Sequence, residues 1–142
     1  MRAERGFTLV EVLIASSVLT MVLIAVTTLF ILAAKMNTAA GDKTECVALA
    51  QERLERLKNK GYDALTAGGD LLTLVNGYHQ YVDVDSNGNN DYLVTWKVVD
   101  NSPMSGSKEL RARALSLKGA NAQLGPPKQV TFYTYKAKGG SV

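Results

Sequence analysis

Arg5-Gly6-Phe7-Thr8-Leu9-Val10-Glu11-Val12-Leu13-Ile14-Ala15, with the apolar run that continues from it to Ala34, decides how the rest of this chain is read. Val12 to Ala34 holds about 23 residues without a charge, which at ~1.5 Å rise per helical residue span about 35 Å, more than the ~30 Å core of a bilayer. The stretch predicts a membrane-spanning helix. Arg2 and Arg5 lie on its N-terminal side, so the positive-inside rule keeps that end cytoplasmic and sends the remainder across. Glu11 is the residue that does not fit. An ionised carboxylate in hydrocarbon costs several kcal/mol unless a positive charge meets it, or unless it snorkels to the headgroups from its place about one turn in from Phe7.

Gly6-Phe7-Thr8-Leu9-Val10-Glu11, after a short leader carrying Arg2 and Arg5, resembles the class III signal of type IV pilins and type II secretion pseudopilins. The motif is specific in its spacing and covers about a tenth of the chain. The resemblance implies that a prepilin peptidase cuts between Gly6 and Phe7 and methylates the new amino terminus at Phe7. It also implies a bilayer-anchored precursor in a bacterial inner membrane, then polymerisation with other major and minor pilins through an inner-membrane assembly platform. Cleavage creates an α-amino group that can meet Glu11 of a neighbouring subunit among bundled apolar helices, which would make Glu11 the residue that sets axial register. Taken singly, Phe7 reads as an interfacial aromatic and Gly6 as a loop glycine beside a membrane. Those readings leave the combined spacing unexplained.

An ordinary secretory signal also begins with positive charge and an apolar run. Here the run is long for an h-region and Glu11 interrupts its start, although Ala33-Ala34 before Lys35 loosely permits such cleavage. The chain of 142 residues allows one domain of ordinary size, and part of its 46% hydrophobic content belongs to the membrane segment. Net charge is +3; removing the leader takes two of the 16 basic and one of the 13 acidic side chains and leaves +2, which is no nucleic-acid signature. Cys46 is the single cysteine, so no internal disulfide forms. Many major pilins close a C-terminal loop with a disulfide, and this chain departs from that pattern.

Past the apolar run the helical period continues. Val47, Ala50, Leu54 and Leu57 fall on one face, with Gln51, Glu52, Arg53, Glu55, Arg56 and Lys58 on the others. Gly41 is a weak point, worth about 1 kcal/mol against alanine, and Lys60-Gly61 supplies a stop. Four segments result: the leader at 1–6, a transmembrane or filament-core helix at 7–34, its amphipathic continuation at 35–61, and a globular head at 62–142. Within the head, 62–77 has no clean period, and Leu71, Leu72, Leu74 and Val75 are expected to tuck onto it.

From Tyr78 the period becomes two. Tyr78–Val84, Tyr92–Asp100, Glu109–Leu117 and Gln129–Lys136 alternate, separated by Asn101-Ser102-Pro103 and Gly125-Pro126-Pro127 among other breaks. One long N-terminal helix followed by about four antiparallel strands packed on its apolar stripe gives an α+β class, the pilin fold that the resemblance implies. Trp96, Phe132, Tyr133 and Tyr135 are expected in the sheet core and in cross-strand pairs rather than on a ligand platform. The helix end Ala48 to Leu57, the strand with Trp96 and the final Val130 to Tyr135 are similar to minor pilins of the PilV type. That likeness implies a low-copy subunit that helps to initiate or cap a filament. A major pilin, a minor secretion pseudopilin, and a filament-displayed binding module for DNA or surfaces are the alternatives.

Asp83-Val84-Asp85-Ser86-Asn87-Gly88 matches the opening of a calcium loop, with Asp91 as a further ligand position, but Val94 stands where the bidentate glutamate would be. The same residues also read as a polar hairpin loop turned at Asn87-Gly88. Calcium at Asp83, Asp85, Asn87 and Asp91 is the one cofactor expectation. Arg111, Arg113, Lys118, Lys128, Lys136 and Lys138 give the C-terminal half a basic bias that does not establish nucleic-acid binding. His79 has no evident nucleophile or metal beside it, Cys46 reads as a small buried residue, and no phosphate loop or zinc spacing occurs, so catalysis is not expected.

Overall fold

Helix α1 spans Leu9–Asn59 as one continuous element. A computed structural model describes residues 6–118 and 128–139; the leader residues Arg2, Glu4 and Arg5 and the break at Gly125-Pro126-Pro127 lie outside the described residues. Gly41 does not interrupt α1, since the space beside it is open and no side chain is needed there for packing. The helix stops at Asn59, one residue before Lys60-Gly61, with Arg56 and Lys58 in the last turn opposing the negative end of its dipole. Lys136 completes that end by donating from Nζ to the carbonyls of Lys58 and Lys60.

The chain divides into two units, Met1–Thr38 and Ala39–Val142. In the first, the apolar half of α1 buries nothing: Val26, the least exposed of its large apolar side chains, is still 41% exposed. The few hydroxyls in that half are turned inward. Ser17 donates to the Leu13 carbonyl at 2.8 Å, Thr20 to Ser16 at 2.7 Å, and Thr27 to Leu23 at 2.8 Å. Each satisfies its own polar group within the helix, as a lipid-facing segment requires.

The second unit contains a four-stranded antiparallel sheet in sequence order: β1 (His79–Val82), β2 (Tyr92–Asp100), β3 (Ser107–Ser116) and β4 (Gln129–Ala137). β1 is shorter than its period suggests at both ends. Tyr78 remains beside the sheet through its carbonyl, which accepts from Trp96 N–H, but Asp83 leaves the ladder to bind amides of the following loop.

Alternation turns Tyr92, Val94, Trp96 and Val98 of β2 and Leu110 and Ala114 of β3 toward α1, where they meet Cys46, Ala50 and Leu57 in two clusters, and Ala112 of β3 is buried on the same parity. The alanines at 50, 112 and 114, all fully buried, allow close approach of helix and sheet. Cys46 is 0% exposed, in keeping with its reading as a small apolar residue.

Three expectations need correction. The buried stripe of α1 runs through Cys46, Ala50 and Leu57, Val47 joins neither cluster, and half-buried Arg53 lies beside the stripe with its guanidinium carbon 3.3 Å from the centroid of the Trp96 ring. A helical period assigns Arg53 to solvent by its charge, but its planar group is weakly hydrated and stacks on an indole as an apolar residue would. Tyr133 and Tyr135 are not core residues: they lie on the far face of the sheet, 65% and 49% exposed, and pair with each other along one strand. Strand parity decides this, because Phe132, at the alternate position just before them, takes the helix-facing side against the Cys46 cluster. Leu72 and Leu74 do not tuck in either; they are 80% and 53% exposed, whereas Leu65, a single leucine before the glycines, is buried.

Residues 62–78 are clamped at several points. After a short 3₁₀ turn at Tyr62–Ala64, Gly68 exchanges two backbone bonds of 2.9 Å with Val98. Gly69 follows at φ +81°, where a Cβ would lie 2.2 Å from the Trp96 carbonyl oxygen. Buried Lys108 donates to the Leu65 carbonyl, pairs with Asp100 at 3.1 Å and sits over the Tyr62 ring. The Leu71 carbonyl accepts from Thr95 Oγ1 at 3.0 Å and Arg113 Nη1 at 2.5 Å, so this segment crosses the sheet's far face.

Candidate functional site

Gly6, Phe7 and Thr8 precede the helix in non-helical conformation, and all three are exposed. Nothing approaches within 4 Å of the position a Cβ would take on Gly6, and Phe7 is 87% exposed. The Gly6–Phe7 peptide is therefore open to an enzyme. Thr8 is the N-cap of α1, and the contacts around it explain why the helix begins at Leu9. The Thr8 amide and hydroxyl both donate to Glu11 Oε2 at 2.9 Å, and the Glu11 amide donates back to Thr8 Oγ1 at 3.3 Å. This is a capping box, in which threonine and a glutamate three residues on satisfy each other's orphan donors.

The signal for it, Thr8-x-x-Glu11 ahead of an apolar run, was present in the sequence and was hidden by the question of charge. Glu11 thus has a partner in its own chain before any subunit joins it. The carboxylate also sits at the positive end of the helix dipole. What the box does not supply is a full positive charge. A free α-amine at Phe7, one residue from Thr8, would supply one in the same neighbourhood.

Residues 1–27 match the prokaryotic N-terminal methylation motif. That motif is the signal carried by type IV pilins and pseudopilins. Comparison with curated proteins and with solved structures gives no match for it. A motif of this kind implies a membrane-anchored precursor, processing by a prepilin peptidase and assembly with other pilins; proteins that carry it are structural subunits rather than enzymes. Its α1 contains a segment long and apolar enough to cross a membrane, with mean hydropathy 2.5 and nothing covering it.

The remaining sequence candidates lie in the second unit. The 83–91 loop joins β1 to β2, whose register closes with Val82 opposite Tyr92, so it is a hairpin connection. One carboxylate oxygen each from Asp83, Asp85 and Asp91 fall within 4.8 Å of one another, a separation that a small cation could bridge. Each acid also serves the loop itself. Asp83 accepts from the amides of Asn87 and Gly88, Asp85 from Asn87, and buried Asp91 from the Val84 amide at 2.9 Å, with Lys118 Nζ 3.3 Å away. Asn87 gives its Nδ2 to Asp85 and uses Oδ1 on the Asn89 amide. Desolvation pushes the Asp83 carboxyl up, but the bonds from Gly88, Asp85, Asn87 and Ser86 outweigh it and hold the acid below its usual range.

His79 places Nδ1 2.9 Å from the Val75 carbonyl oxygen and its ring edge against Tyr81, which makes it an anchor for the loop before β1. The basic residues of the C-terminal half separate. Lys136 caps α1, Lys118 pairs with Asp91, Lys128 and Lys138 flank β4 at its two ends, and Arg111 and Arg113 stand together on the far face of the sheet.

Proposed function

We propose that this chain is cut between Gly6 and Phe7, methylated at Phe7, and polymerised through α1 into a filament as a minor pilin that helps to initiate or cap assembly. The observation that supports this most directly is the two-part character of α1. From Leu9 to Leu32 its large side chains are exposed in the single chain, while from Cys46 to Leu57 the same helix carries the sheet. An apolar helix half with no intrachain partner has two stable fates in a cell, a bilayer before assembly and a bundle of like helices after it. The missing disulfide supports a minor subunit rather than the principal one. A secretion pseudopilin would use the same apparatus, and copy number in isolated filaments separates minor from major.

The capping box allows a test sharper than alanine. Glutamine serves at the third helical position of a capping box as glutamate does, but carries no charge. Glu11→Gln therefore keeps the helix start and removes the ion pair with a neighbour's Phe7 amine. We expect the variant to reach the membrane, to be cleaved after Gly6 by mass spectrometry, and to be depleted at least about tenfold from sheared fibres, the equivalent of about 1.4 kcal/mol of lost assembly energy. Fibres containing Glu11→Gln at parental abundance would refute the charge-pairing role. A mature chain starting past Ala34 would refute the filament reading altogether.

A further inference from the structure

One arginine of the second unit carries a charge that the chain leaves unanswered. Leu49, Arg53, Arg56 and Lys60 recur at steps of four, three and four residues, which sets them in one stripe along the end of α1. Two hollows open beside that stripe, and both are lined by Arg53. The first, of about 220 Å³, reaches Gln80 and Val82 of the edge strand β1. The second, of about 210 Å³, is walled by Leu57, Leu65, Trp96 and Val98 and takes in Lys60.

The acids of the chain do not balance Arg53. Glu52, in the first hollow, is taken by Arg56 at 2.5 Å, and no acid lines the second. Among the described residues Arg53 forms no ion pair, and its buried Nε meets no acceptor. The stack on Trp96 occupies the face of the guanidinium and fixes its plane, but all five donors of the group point out along that plane. Stacking therefore uses none of them. Burial, and then the charge of Arg56, oppose ionisation of Arg53, and an arginine remains charged all the same. The Tyr78 hydroxyl, which also lines the second hollow, is occupied with the Thr66 carbonyl at 3.1 Å.

We propose that the hollow at Arg53 and Lys60 binds a carboxylate, its oxygens on the edge of the guanidinium and its aliphatic part against Leu57 and Val98. A guanidinium edge offers paired N–H groups at the spacing of two carboxylate oxygens, and the Trp96 stack holds that edge ready. A neutral apolar molecule would leave the charge unmet. A phosphate would call for a further cation, and Arg56 is committed to Glu52. The carboxylate belongs either to a short aliphatic acid or to a glutamate of another polypeptide, and only the second extends into the hollow beside β1. Neither cleavage after Gly6 nor assembly is needed for this site, so its failure and failure of the filament reading are distinguishable.

Trp96 is the single tryptophan of the chain and lies directly under Arg53, so its fluorescence reports the site without a label. The full chain in nonionic detergent micelles is titrated with propionate and with the blocked peptide acetyl-Gly-Glu-Gly-amide, at a constant ionic strength of about 0.2 M. We expect a saturable change in emission with a midpoint of about 1–10 mM, and none with the same peptide carrying glutamine. Arg53→Gln is expected to weaken binding at least about tenfold, the loss of a charge-assisted hydrogen bond. Lys60→Gln, which leaves the stack on Trp96 untouched, weakens it about twofold to fivefold, whereas Lys43→Gln, an equal charge loss elsewhere on α1, binds like the parent. A peptide midpoint below that of propionate supports the site with a polypeptide as its occupant, and equal midpoints support it with a free acid. No saturable change up to about 100 mM overturns the proposal. So do parental midpoints in both Arg53→Gln and Lys60→Gln, or tighter binding of inorganic phosphate than of either carboxylate.

Discussion

Single atoms fix several features of this protein, and Gly69 is the sharpest case. At φ +81° with the Trp96 carbonyl where its Cβ would be, the position admits no side chain without moving the backbone that joins residues 62–78 to β2. Gly69→Ala is expected to destabilise the fold by about 2–3 kcal/mol in urea unfolding, combining αL strain with overpacking. An unchanged midpoint would contradict this placement of the segment.

Tyr92 offers a second residue-scale test. Burial, with the Asp42 carboxylate next, pushes its phenol up to about 12, above the ~10 of an unfolded tyrosine. The folded state therefore holds the proton more tightly. Its contribution to stability is complete below about pH 10 and is lost as pH rises from there through about 12. Across that interval the parent should lose Tm relative to Tyr92→Phe, which has no proton to release; a Tm difference that stays constant through the interval would rule the linkage out.

At the scale of elements, ends and connections carry the distinguishing chemistry. α1 is closed at its start by Thr8 and Glu11 and at its end by Lys136, a residue 76 positions beyond Lys60 in sequence. The first closure was readable as a local pattern. The second was not, because no local rule tells a strand lysine that its partner is a helix terminus. The 83–91 connection is the element whose role is most directly open to experiment. If calcium bridges the three carboxylates, millimolar calcium raises the Tm of the chain over its value in EDTA, and Asp85→Ala removes the rise. If Lys118 and the loop amides suffice, the two Tm values coincide. The sequence pattern could not choose, because Asx turns and calcium loops place the same residues at the same spacing.

For the whole molecule, the division near Thr38 is the governing feature. The residues that build the two buried clusters, Cys46 through Ala114 with Val130 and Phe132, all lie beyond it. A chain beginning at Ala39 is accordingly expected to unfold cooperatively, with a Tm within about 5 °C of the full chain, and to stay monodisperse without detergent. A truncated chain that melts without a transition would show that the apolar half of α1 supports the sheet.

The sequence by itself determined the apolar helix and its processing signal, the change of period at Tyr78, the bounds of β2 and the α+β class. These rest on local chemistry: hydropathy over a membrane's thickness, a spaced motif, and side-chain alternation that needs no partner to be read. Only the tertiary structure decided which side of each element faces in. It put Arg53 on Trp96, turned Tyr133 and Tyr135 away from α1, exposed Leu72 and Leu74, and assigned Lys136 to the helix end. The physical reason is that burial belongs to pairs of surfaces: a period shows that two faces differ, and packing against one particular partner selects the face that is buried.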